Sequence, residues 1–185
     1  RQGIRQNKKH VMNIETIQVS SCRGAFDRET RIVYLIEWLE HVRPDVMITD
    51  YNKKQLPAIM PHGVFYNRRQ DTIQKHSGMV QIDIDGKHQG AGFDSENVVR
   101  DMEAAPYVVA GGISCMGEGV YMLIAVDGIN ETNHREKASR VMDLIEEQFN
   151  VGVDVPVTNN LSSLRFASGY APFINYDVTP LTFEQ

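Results

Sequence analysis

Apolar and polar residues alternate in the segment MVQIDID, which predicts a strand over Met79–Asp85. Successive side chains of a strand point to opposite faces of the sheet. One face would carry three branched apolar residues, Val80, Ile82 and Ile84. The opposite face would carry three polar residues, Gln81, Asp83 and Asp85. The pattern therefore predicts two carboxylates side by side on a strand whose other face packs against a helix layer.

The first third of the chain has weaker patterns. Alternation predicts a strand over Ile14–Val19, and apolar residues at helical spacing predict a helix over residues 28–42. Pro44 would close that helix, and Trp38 would pack on its apolar side. The following stretch, NKKQLPAIMPHGVF, contains two prolines and a glycine and is typical of an irregular connection.

The remaining elements follow the acidic strand in a regular order. Asp94 or Ser95 would cap a helix that ends before Pro106. Further strands are predicted over residues 107–113, 120–126 and 163–167. Asn133 and Glu136 match a capping box, which predicts another helix with apolar residues at helical spacing.

This order of elements is β-α-β-β-α-β, which predicts an α+β fold with a ferredoxin- or RRM-like core. We expect a single domain over residues 1–185. An N-terminal α/β portion would occupy residues 11–70, and a palm-like portion with the acidic residues would occupy residues 71–185. Many functions share this fold, so function has to be argued from the site.

Composition is that of an ordinary globular protein, with 185 residues, 42% hydrophobic and 23% charged. No stretch has the apolar length of a membrane helix, and no signal peptide is evident. The two cysteines, Cys22 and Cys115, are too few for a zinc site and are expected to be reduced thiols in the cytoplasm. Because the first residue is Arg1, we expect a piece of a longer protein.

The net charge of −5 argues against a strong stand-alone nucleic-acid clamp, which is usually basic. Local basic clusters occur in RQNKKH near the start, at Lys53-Lys54 and at Arg68-Arg69. Such clusters are more often solvated surface than a binding site.

The paired aspartates are the main candidate site. Asp83 and Asp85 would lie roughly 7 Å apart at their Cα atoms, and two like charges so close repel unless a cation lies between them. Mg²⁺ or Mn²⁺ would relieve that repulsion, and Mg²⁺ commonly binds one or two carboxylates together with phosphate oxygens. The alternative is an exposed strand face with two solvated aspartates.

Three further features could complete such a site. The turn that contains Ser114, Gly117 and Gly119 could bind phosphate through its backbone NH groups, although taken alone such a turn is more often a plain hairpin turn. Asp154 could supply a third carboxylate, and Arg165 could bind a phosphate in a bidentate manner. The alternatives are a turn aspartate and an ion-paired or surface arginine.

Taken together, these segments resemble the archaeo-eukaryotic primase superfamily of primase-polymerases, and most of all the VirE N-terminal domain. The resemblance runs from about Lys54 to Tyr176. Its segments are KKQLPAIMPHGVFYNRR, HSGMVQIDID, APYVVAGGISCMGEGVYMLIAV, GVDV and LRFASGYAPFINYD. HSGMVQIDID and APYVVAGGISCMGEGVYMLIAV are the most specific.

The resemblance implies a role for each segment. Asp83 and Asp85 would be the metal-binding acids of the first motif, and Asp154 would be the acid of the third. The turn from Ser114 to Tyr121 would bind the nucleotide phosphates, with Arg165 nearby. Arg68 and Arg69 would contact template or triphosphate. Active members usually carry histidine where this chain has Tyr121, so the resemblance leaves catalysis open.

The function expected from this resemblance is a metal-dependent nucleotidyltransferase of a replication or mobile-element protein. Its partners would be a nucleoside triphosphate, single-stranded or primed nucleic acid and a helicase domain in the same or another chain, with no membrane. The alternatives are a catalytically degenerate relative that binds nucleic acid or nucleotide, a ferredoxin-like interaction module, and another palm-type enzyme such as a nucleotide cyclase. His62 and His76 are expected at the surface, although either could be a ligand.

Overall fold

The computed structural model describes residues 11–183, and the basic run RQNKKH at residues 5–10 lies outside that range. The strands are β1 (Gln18–Cys22), β2 (Arg31–Tyr34), β3 (Ala58–Met60), β4 (Gly63–Phe65), β5 (Ile73–His76), β6 (Met79–Ile84), β7 (Val108–Ile113), β8 (Val120–Ala125), β9 (Arg165–Phe166) and β10 (Phe173–Ile174). The α-helices are α1 (Leu35–His41), α2 (Ser95–Glu103), α3 (His134–Phe149) and α4 (Val155–Asn159). No helix in the described range is long and apolar enough to cross a membrane.

The described strands form two antiparallel sheets and one hairpin. The first sheet has the order β2-β1-β3-β9, and the second has the order β10-β7-β8-β6. The hairpin consists of β4 and β5, and β4 packs against β1. In the second sheet β8 lies between β6 and β7, so that β6-α2-β7-β8-α3 forms a split βαβ arrangement. The predicted α+β class with a ferredoxin-like core is therefore confirmed.

The last predicted strand forms where it was expected but joins the other sheet. β9 lies within the predicted range and pairs with β3, whereas β10 takes the edge of the second sheet beside β7. As a result, no described strand pairs with the outer edge of β6. Side chains and loops cover that edge instead, and they belong to the candidate site.

Two hydrophobic cores lie on opposite faces of the second sheet. The first core packs that sheet against α2 and α3, and it includes Val80, Ile82, Met102, Val141 and Ile145. The second core packs the sheet against the first sheet and α1, and it includes Met79, Leu123, Val19, Ile59 and Leu35. Because β6 contributes to both cores, the polar residues at its end are held between the two sheets.

The alternation predicted for β6 is confirmed. Val80, Ile82 and Ile84 are fully buried in the core beneath the helices. Gln81 and Asp83 point to the opposite face, where Gln81 is buried and Asp83 is half-buried. The strand ends at Ile84, so Asp85 begins the next turn rather than ending the strand.

The prediction of a helix over residues 28–42 is wrong for the first part of that range. Residues 31–34 form β2, which pairs with β1, and α1 begins only at Leu35. Ile32 is 58% exposed and therefore does not share the buried face of Leu35 and Leu39. The run RIVY is rich in β-branched and aromatic residues, which favour an extended chain, and pairing with β1 prevails over the helical spacing. Trp38 is buried on α1 as predicted.

The strand predicted over Ile14–Val19 is shifted toward the C-terminus. Ile14–Thr16 is a 3-10 turn whose first residue follows the capping side chain of Asn13. The strand begins only at Gln18 and continues to Cys22. Ile14 is nevertheless buried in the second core, so its apolar character is explained by packing and not by sheet pairing.

One of the two predicted helix caps forms. The Asp94 side chain accepts hydrogen bonds from the backbone NH groups of Glu96 and Asn97 at 3.0 and 3.2 Å, as expected for the start of α2. The capping box at α3 is wrong, because Asn133 makes no side-chain cap. Its Oδ1 accepts from the backbone NH of Asn130 at 2.8 Å, so the side chain stabilises the preceding loop instead.

Both cysteines are free thiols in the described structure, and both are buried. Desolvation by burial raises the pKa of the Cys22 thiol above its ordinary value. A buried thiol with a raised pKa is a weak nucleophile at neutral pH, so Cys22 behaves as a small packing residue.

Candidate functional site

The acidic end of β6 is the first part of the candidate site. The Asp83 side chain is 28% exposed and the Asp85 side chain is 43% exposed. Asp85 caps the 3-10 turn Gly86–His88, because its Oδ1 accepts the backbone NH of Lys87 at 3.0 Å. His88 Nδ1 lies 3.6 Å from the other carboxylate oxygen of Asp85. The two acids are therefore held at a strand end where solvent or a ligand can reach them.

A buried arginine faces the first of these acids. Arg165 Nη1 donates to Asp83 Oδ1 at 2.9 Å, and the Arg165 side chain is only 6% exposed. The Arg165 guanidinium also lies over the Tyr121 ring, 4.5 Å from its centre. Its Nε is buried without a hydrogen-bond partner in the protein. The pair thus holds Asp83 in place while leaving one donor of Arg165 unused.

Tyr121 lies opposite Asp83 in the pairing of β6 with β8, which explains why both contact Arg165. The tyrosine is 4% exposed, and burial raises the pKa of its hydroxyl, while the nearby charges of Arg165 and Arg43 act against that rise. Tyr121 is therefore a neutral ring at ordinary pH. In this position it supports the guanidinium by a cation–π contact.

The glycine turn packs directly on the acidic strand end. Within the turn, the Ser114 NH donates to the Gly119 carbonyl at 2.8 Å, and the Gly117 NH donates to the Ser114 carbonyl at 2.9 Å. A Cβ on Gly86 would lie 1.8 Å from the Glu118 carbonyl oxygen, so only glycine permits this approach. Lys87 and Glu118 add an ion pair at 3.0 Å. The turn and the acids are therefore neighbours, as the sequence predicts.

Asp154 comes to the same strand end through its backbone. Its NH donates to the Asp83 carbonyl at 2.8 Å across the outer edge of β6. Its side chain caps α4, with Oδ1 accepting from the Val157 NH at 3.2 Å. Within residues 11–183, no three His, Cys, Asp or Glu side chains are arranged as a metal site. The acids are thus near one another, but they do not form a complete cage.

Gln81 is a further candidate site residue. The sequence pattern predicts it on the same strand face as Asp83 but does not indicate a role for it. It is 1% exposed, and its Oε1 is buried without a partner in the protein. Its backbone NH donates to His62 Nε2 at 3.0 Å on the outer edge of β6. A buried acceptor without a partner is costly, so a donor outside the protein chain, such as a water O–H, is expected to bind it.

Three histidines near the start of β6 form a second polar cluster, which we call the histidine network: His62, His76 and His134. The Gly78 NH donates to His76 Nδ1, and His76 Nε2 and His134 Nδ1 are 3.0 Å apart. His134 Nε2 lies 3.0 Å from the Thr158 carbonyl of α4. The expectation of surface histidines is wrong for His62, which is fully buried, and His76 is only partly exposed. His134, for which the sequence makes no prediction, is also buried.

The hydrogen bonds of this network require neutral rings. His62 accepts at Nε2 from Gln81, so it must carry its proton on Nδ1, which lies 3.2 Å from the Leu161 carbonyl. The same reasoning gives His76 and His134 one proton each, on Nε2. Burial lowers the pKa of all three histidines, that of His76 to about 4. Every ring nitrogen is occupied, which leaves none for a metal.

Arg68 and Arg69 form hydrogen bonds and ion pairs with Asp27 and Asp71 rather than with the acidic strand end. Arg68 Nη1 is 3.5 Å from the Asp27 carbonyl, and its Nε is buried without a partner. Arg69 makes an exposed ion pair with Asp71, with Nε and Oδ1 3.0 Å apart. The structure therefore brings together Asp83, Asp85, Asp154, Tyr121, Arg165 and the glycine turn, but it does not add this arginine pair to them.

Comparison with known proteins identifies one family. Residues 51–152 match the family model described as BT4734-like, N-terminal domain, and this segment is more than half of the chain. It contains β6 and the glycine turn but ends before Asp154. No curated protein matches the sequence at a significant level. Among solved structures, the polymerase domain of Mycobacterium tuberculosis Ligase D in complex with DNA aligns with a TM-score of 0.38 and 12% identity, covering 91% of this chain and 75% of that chain.

Proposed function

The chain belongs to the family of BT4734-like N-terminal domains, and we propose that it is a metal-dependent nucleotidyltransferase of the primase-polymerase type. The observation that carries this proposal is the packing of Asp83 and Asp85, at the end of β6, against the glycine turn. A strand end with two acids beside a glycine turn suits a nucleoside triphosphate with its divalent cation.

The residues present fit a cation that is shared with the substrate. Arg165 bonds Asp83 through Oδ1, so the other oxygen remains, and the Asp85 side chain is partly exposed. Mg²⁺ and Mn²⁺ commonly bind through one or two carboxylates and complete their shell with phosphates and water. Asp83 and Asp85 would hold the cation, and Asp154 would join them if its capping hydrogen bond opened. When bound, the cation would neutralise phosphate charge and activate the attacking hydroxyl.

The other residues would position the substrate. Gly117 and Gly119 already use their NH groups inside the turn, so triphosphate oxygens would bind the remaining NH groups of that turn. The free Nε of Arg165 is a donor for a phosphate oxygen. A 3′-hydroxyl would form a bond to the α-phosphorus, pyrophosphate would leave, and the hydroxyl proton would pass to water.

We also propose the kind of protein in which the domain occurs, its substrates and its partner domain. The motif resemblance favours a VirE-like N-terminal domain of a replication or mobile-element protein. Its substrates would be nucleoside triphosphates and single-stranded or primed nucleic acid, and a helicase domain in the same or another chain is the expected partner. The expected location is the cytoplasm.

A second candidate is a catalytically degenerate relative that binds nucleotide without transferring it. The observation in its favour is the buried Arg165, which already neutralises Asp83, together with Tyr121 in place of the usual histidine. A ligand would then bind beside Arg165 without a cation. The two candidates differ in whether binding of a triphosphate requires a metal.

The test uses a conservative change at Asp85, because Asp83→Asn would leave Arg165 buried without an opposite charge. Asp85→Asn keeps a capping side chain and removes the charge. Asp94→Asn is the matched control, since Asp94 is also an exposed helix cap. We would measure the shift in melting temperature with Mn²⁺ and nucleoside triphosphate, together with primer extension.

Wild type and Asp94→Asn should show a metal-dependent shift and extend a primer, and Asp85→Asn should lose both. A shift without metal and no extension by wild type would favour the degenerate relative. The absence of any shift with metal and triphosphate would contradict both candidates.

A further inference from the structure

Three exposed aromatic side chains lie on loops that follow β1, precede β3 and follow β4. Phe26 is 78% exposed, Tyr66 is 76% exposed and Tyr51 is 94% exposed. Large exposed apolar surfaces that cluster in one place mark interaction sites more often than isolated ones do. Nothing in the packing of either core accounts for these three rings.

The loops that carry these rings are fixed to one another. The Ala25 NH donates to the Lys54 carbonyl at 2.7 Å, and the Thr30 hydroxyl donates to the Phe65 carbonyl at 2.9 Å. Arg68 reaches the Asp27 carbonyl at 3.5 Å. We define the aromatic–basic strip as residues 23–31, 50–54 and 66–71. Its rings are presented by loops with a defined arrangement.

The strip differs in charge from the rest of the protein. It contains seven Lys or Arg and four Asp or Glu, a net charge of +3, whereas the whole chain has a net charge of −5. Arg23 pairs with Asp27 and Glu29, and Arg69 pairs with Asp71. Five basic residues of the strip form no ion pair with any described residue: Arg28, Arg31, Lys53, Lys54 and Arg68. The strip is a local positive surface on an acidic protein.

The strip adjoins the acidic strand end through the first sheet. Arg165, Ile59 and Ser21 are neighbours across β9, β3 and β1, so Ser21 lies roughly 10 Å from Arg165 at a strand spacing of about 4.8 Å. The loop of Phe26 follows directly after β1. The strip therefore begins beside the acidic site and leads away from it.

We infer that the aromatic–basic strip binds single-stranded nucleic acid, with bases stacked on Phe26, Tyr51 and Tyr66 and phosphates at the unpaired basic residues. Every base has a face that can stack on an aromatic ring, and an unpaired basic side chain attracts the backbone regardless of sequence. A protein partner would be expected to need a more apolar, less charged centre. This inference rests on the proposed function, because the strip would hold the nucleic acid strand on which the acidic site acts.

The experiment measures the affinity of the whole chain for fluorescent oligothymidylate and oligouridylate of about 16 nucleotides at several salt concentrations. EDTA is present, so that the cation site does not contribute. One variant combines Phe26→Ala with Tyr66→Ala, and another combines Arg28→Gln with Lys54→Gln. Tyr176→Ala and Arg100→Gln are the matched controls, since both residues are exposed and lie outside the strip.

The aromatic variant should bind about tenfold more weakly or worse with an unchanged salt dependence. The basic variant should lower the slope of log affinity against log salt by about 1.4, which is about 0.7 for each phosphate contact on a single strand. Both controls should bind as wild type does. Binding of either oligomer supports the inference, and the pair of oligomers separates DNA from RNA.

The inference is overturned if wild type binds neither oligomer, or if the controls weaken binding as much as the strip variants do. Unchanged binding by the aromatic variant would also overturn it and would assign the exposed rings to a different kind of partner. The melting shift with Mn²⁺ and triphosphate separates this inference from the proposed function. The aromatic variant should keep that shift, so the strip and the acidic site can fail independently.

Discussion

Two polar clusters lie along β6, and they differ in how completely they are hydrogen-bonded. Near the start of the strand, the histidine network uses every ring nitrogen of His62, His76 and His134. At the end of the strand, Asp83 and Arg165 form one buried contact, while Gln81 Oε1 and Arg165 Nε have no protein partner. The first cluster is closed to ligands, and the second has unused polar atoms beside partly exposed acids.

This difference distinguishes polar residues that stabilise the fold from polar residues that could bind a ligand. A fully satisfied buried network makes a fold more specific, because each member has one arrangement that avoids unpaired groups. Unsatisfied buried groups are rare in native proteins, and each one calls for an explanation such as a missing water or ligand. We therefore assign the histidine network to the fold and keep the proposed binding site at the acidic strand end.

Acid should have the largest effect, and it should act on the histidine network. The pKa of His76 is lowered from 6.5 to about 4 in the folded chain. Between these pH values the ring is therefore protonated in the unfolded chain but stays neutral in the folded chain. The free energy of unfolding is therefore highest above pH 6.5 and decreases as the pH falls toward 4. For His76 alone the loss between pH 6.5 and 4 is about 3 kcal/mol, and His62 and His134 act in the same direction. Urea unfolding across this pH range measures the loss, and a flat profile would contradict the assignment.

Removing one histidine should have the next largest effect. His62→Ala deletes a fully buried ring and leaves the Gln81 NH and the Leu161 carbonyl without partners. We expect the free energy of unfolding to fall by about 3–5 kcal/mol. His41→Ala is the control, because that side chain is 75% exposed, and it should change stability by less than about 0.5 kcal/mol. Similar losses for both variants would remove the distinction between a buried network and surface histidines.

The ion pair at the other cluster should matter less to stability. Arg165→Gln removes a buried charge but leaves Asp83 with some access to water, so we expect a loss of about 1–3 kcal/mol. Arg69→Gln breaks an exposed pair of the same kind and should cost less than about 0.5 kcal/mol. Denaturant titration of both variants gives the two values. A loss at Arg165 larger than at His62 would place the structural role at the acidic end.

The smallest effect is expected at Tyr121. Tyr121→Phe keeps the ring that lies over the Arg165 guanidinium and removes only the hydroxyl. The free energy of unfolding should change by less than about 1 kcal/mol. Tyr121→Ala, which removes the cation–π contact and leaves a cavity, should cost several times more. Equal effects would show that the hydroxyl, rather than the ring, supports Arg165.

Several local elements of the fold follow from sequence patterns, whereas β3 and β4 form within the stretch predicted to be an irregular connection. The alternation in MVQIDID places Val80 beneath the helices and Asp83 on the opposite face, as observed. The helix that follows Asp94 also begins where its cap predicts. At β2 the pattern fails, because Ile32 shares helical spacing with Leu35 but pairs in a sheet with β1. Pairing of β2 with β1 selects the strand over the helix at this position. The sequence of β2 alone does not indicate that pairing.

The candidate site could be predicted only in part for the same reason. The acids and the glycine turn carry their own signals, but Arg165 and Asp83 are separated by 82 positions, and nothing local indicates that they pair. His62 and Gln81 meet across 19 positions, and His76 and His134 across 58. Each histidine alone is typical of a surface residue, and only the packing of α3 and α4 on β6 buries the network.

The central claim is that a cation and a nucleotide bind at the acidic end of β6 and not at the histidine network. The most direct measurement is a crystal structure of the protein soaked with Mn²⁺ and a non-hydrolysable nucleoside triphosphate, with the metal located by anomalous scattering. The account predicts a metal peak within about 2.2 Å of carboxylate oxygens of Asp83 or Asp85, with phosphates against the glycine turn. A peak among His62, His76 and His134, or no metal near β6 at saturating ligand, would contradict it.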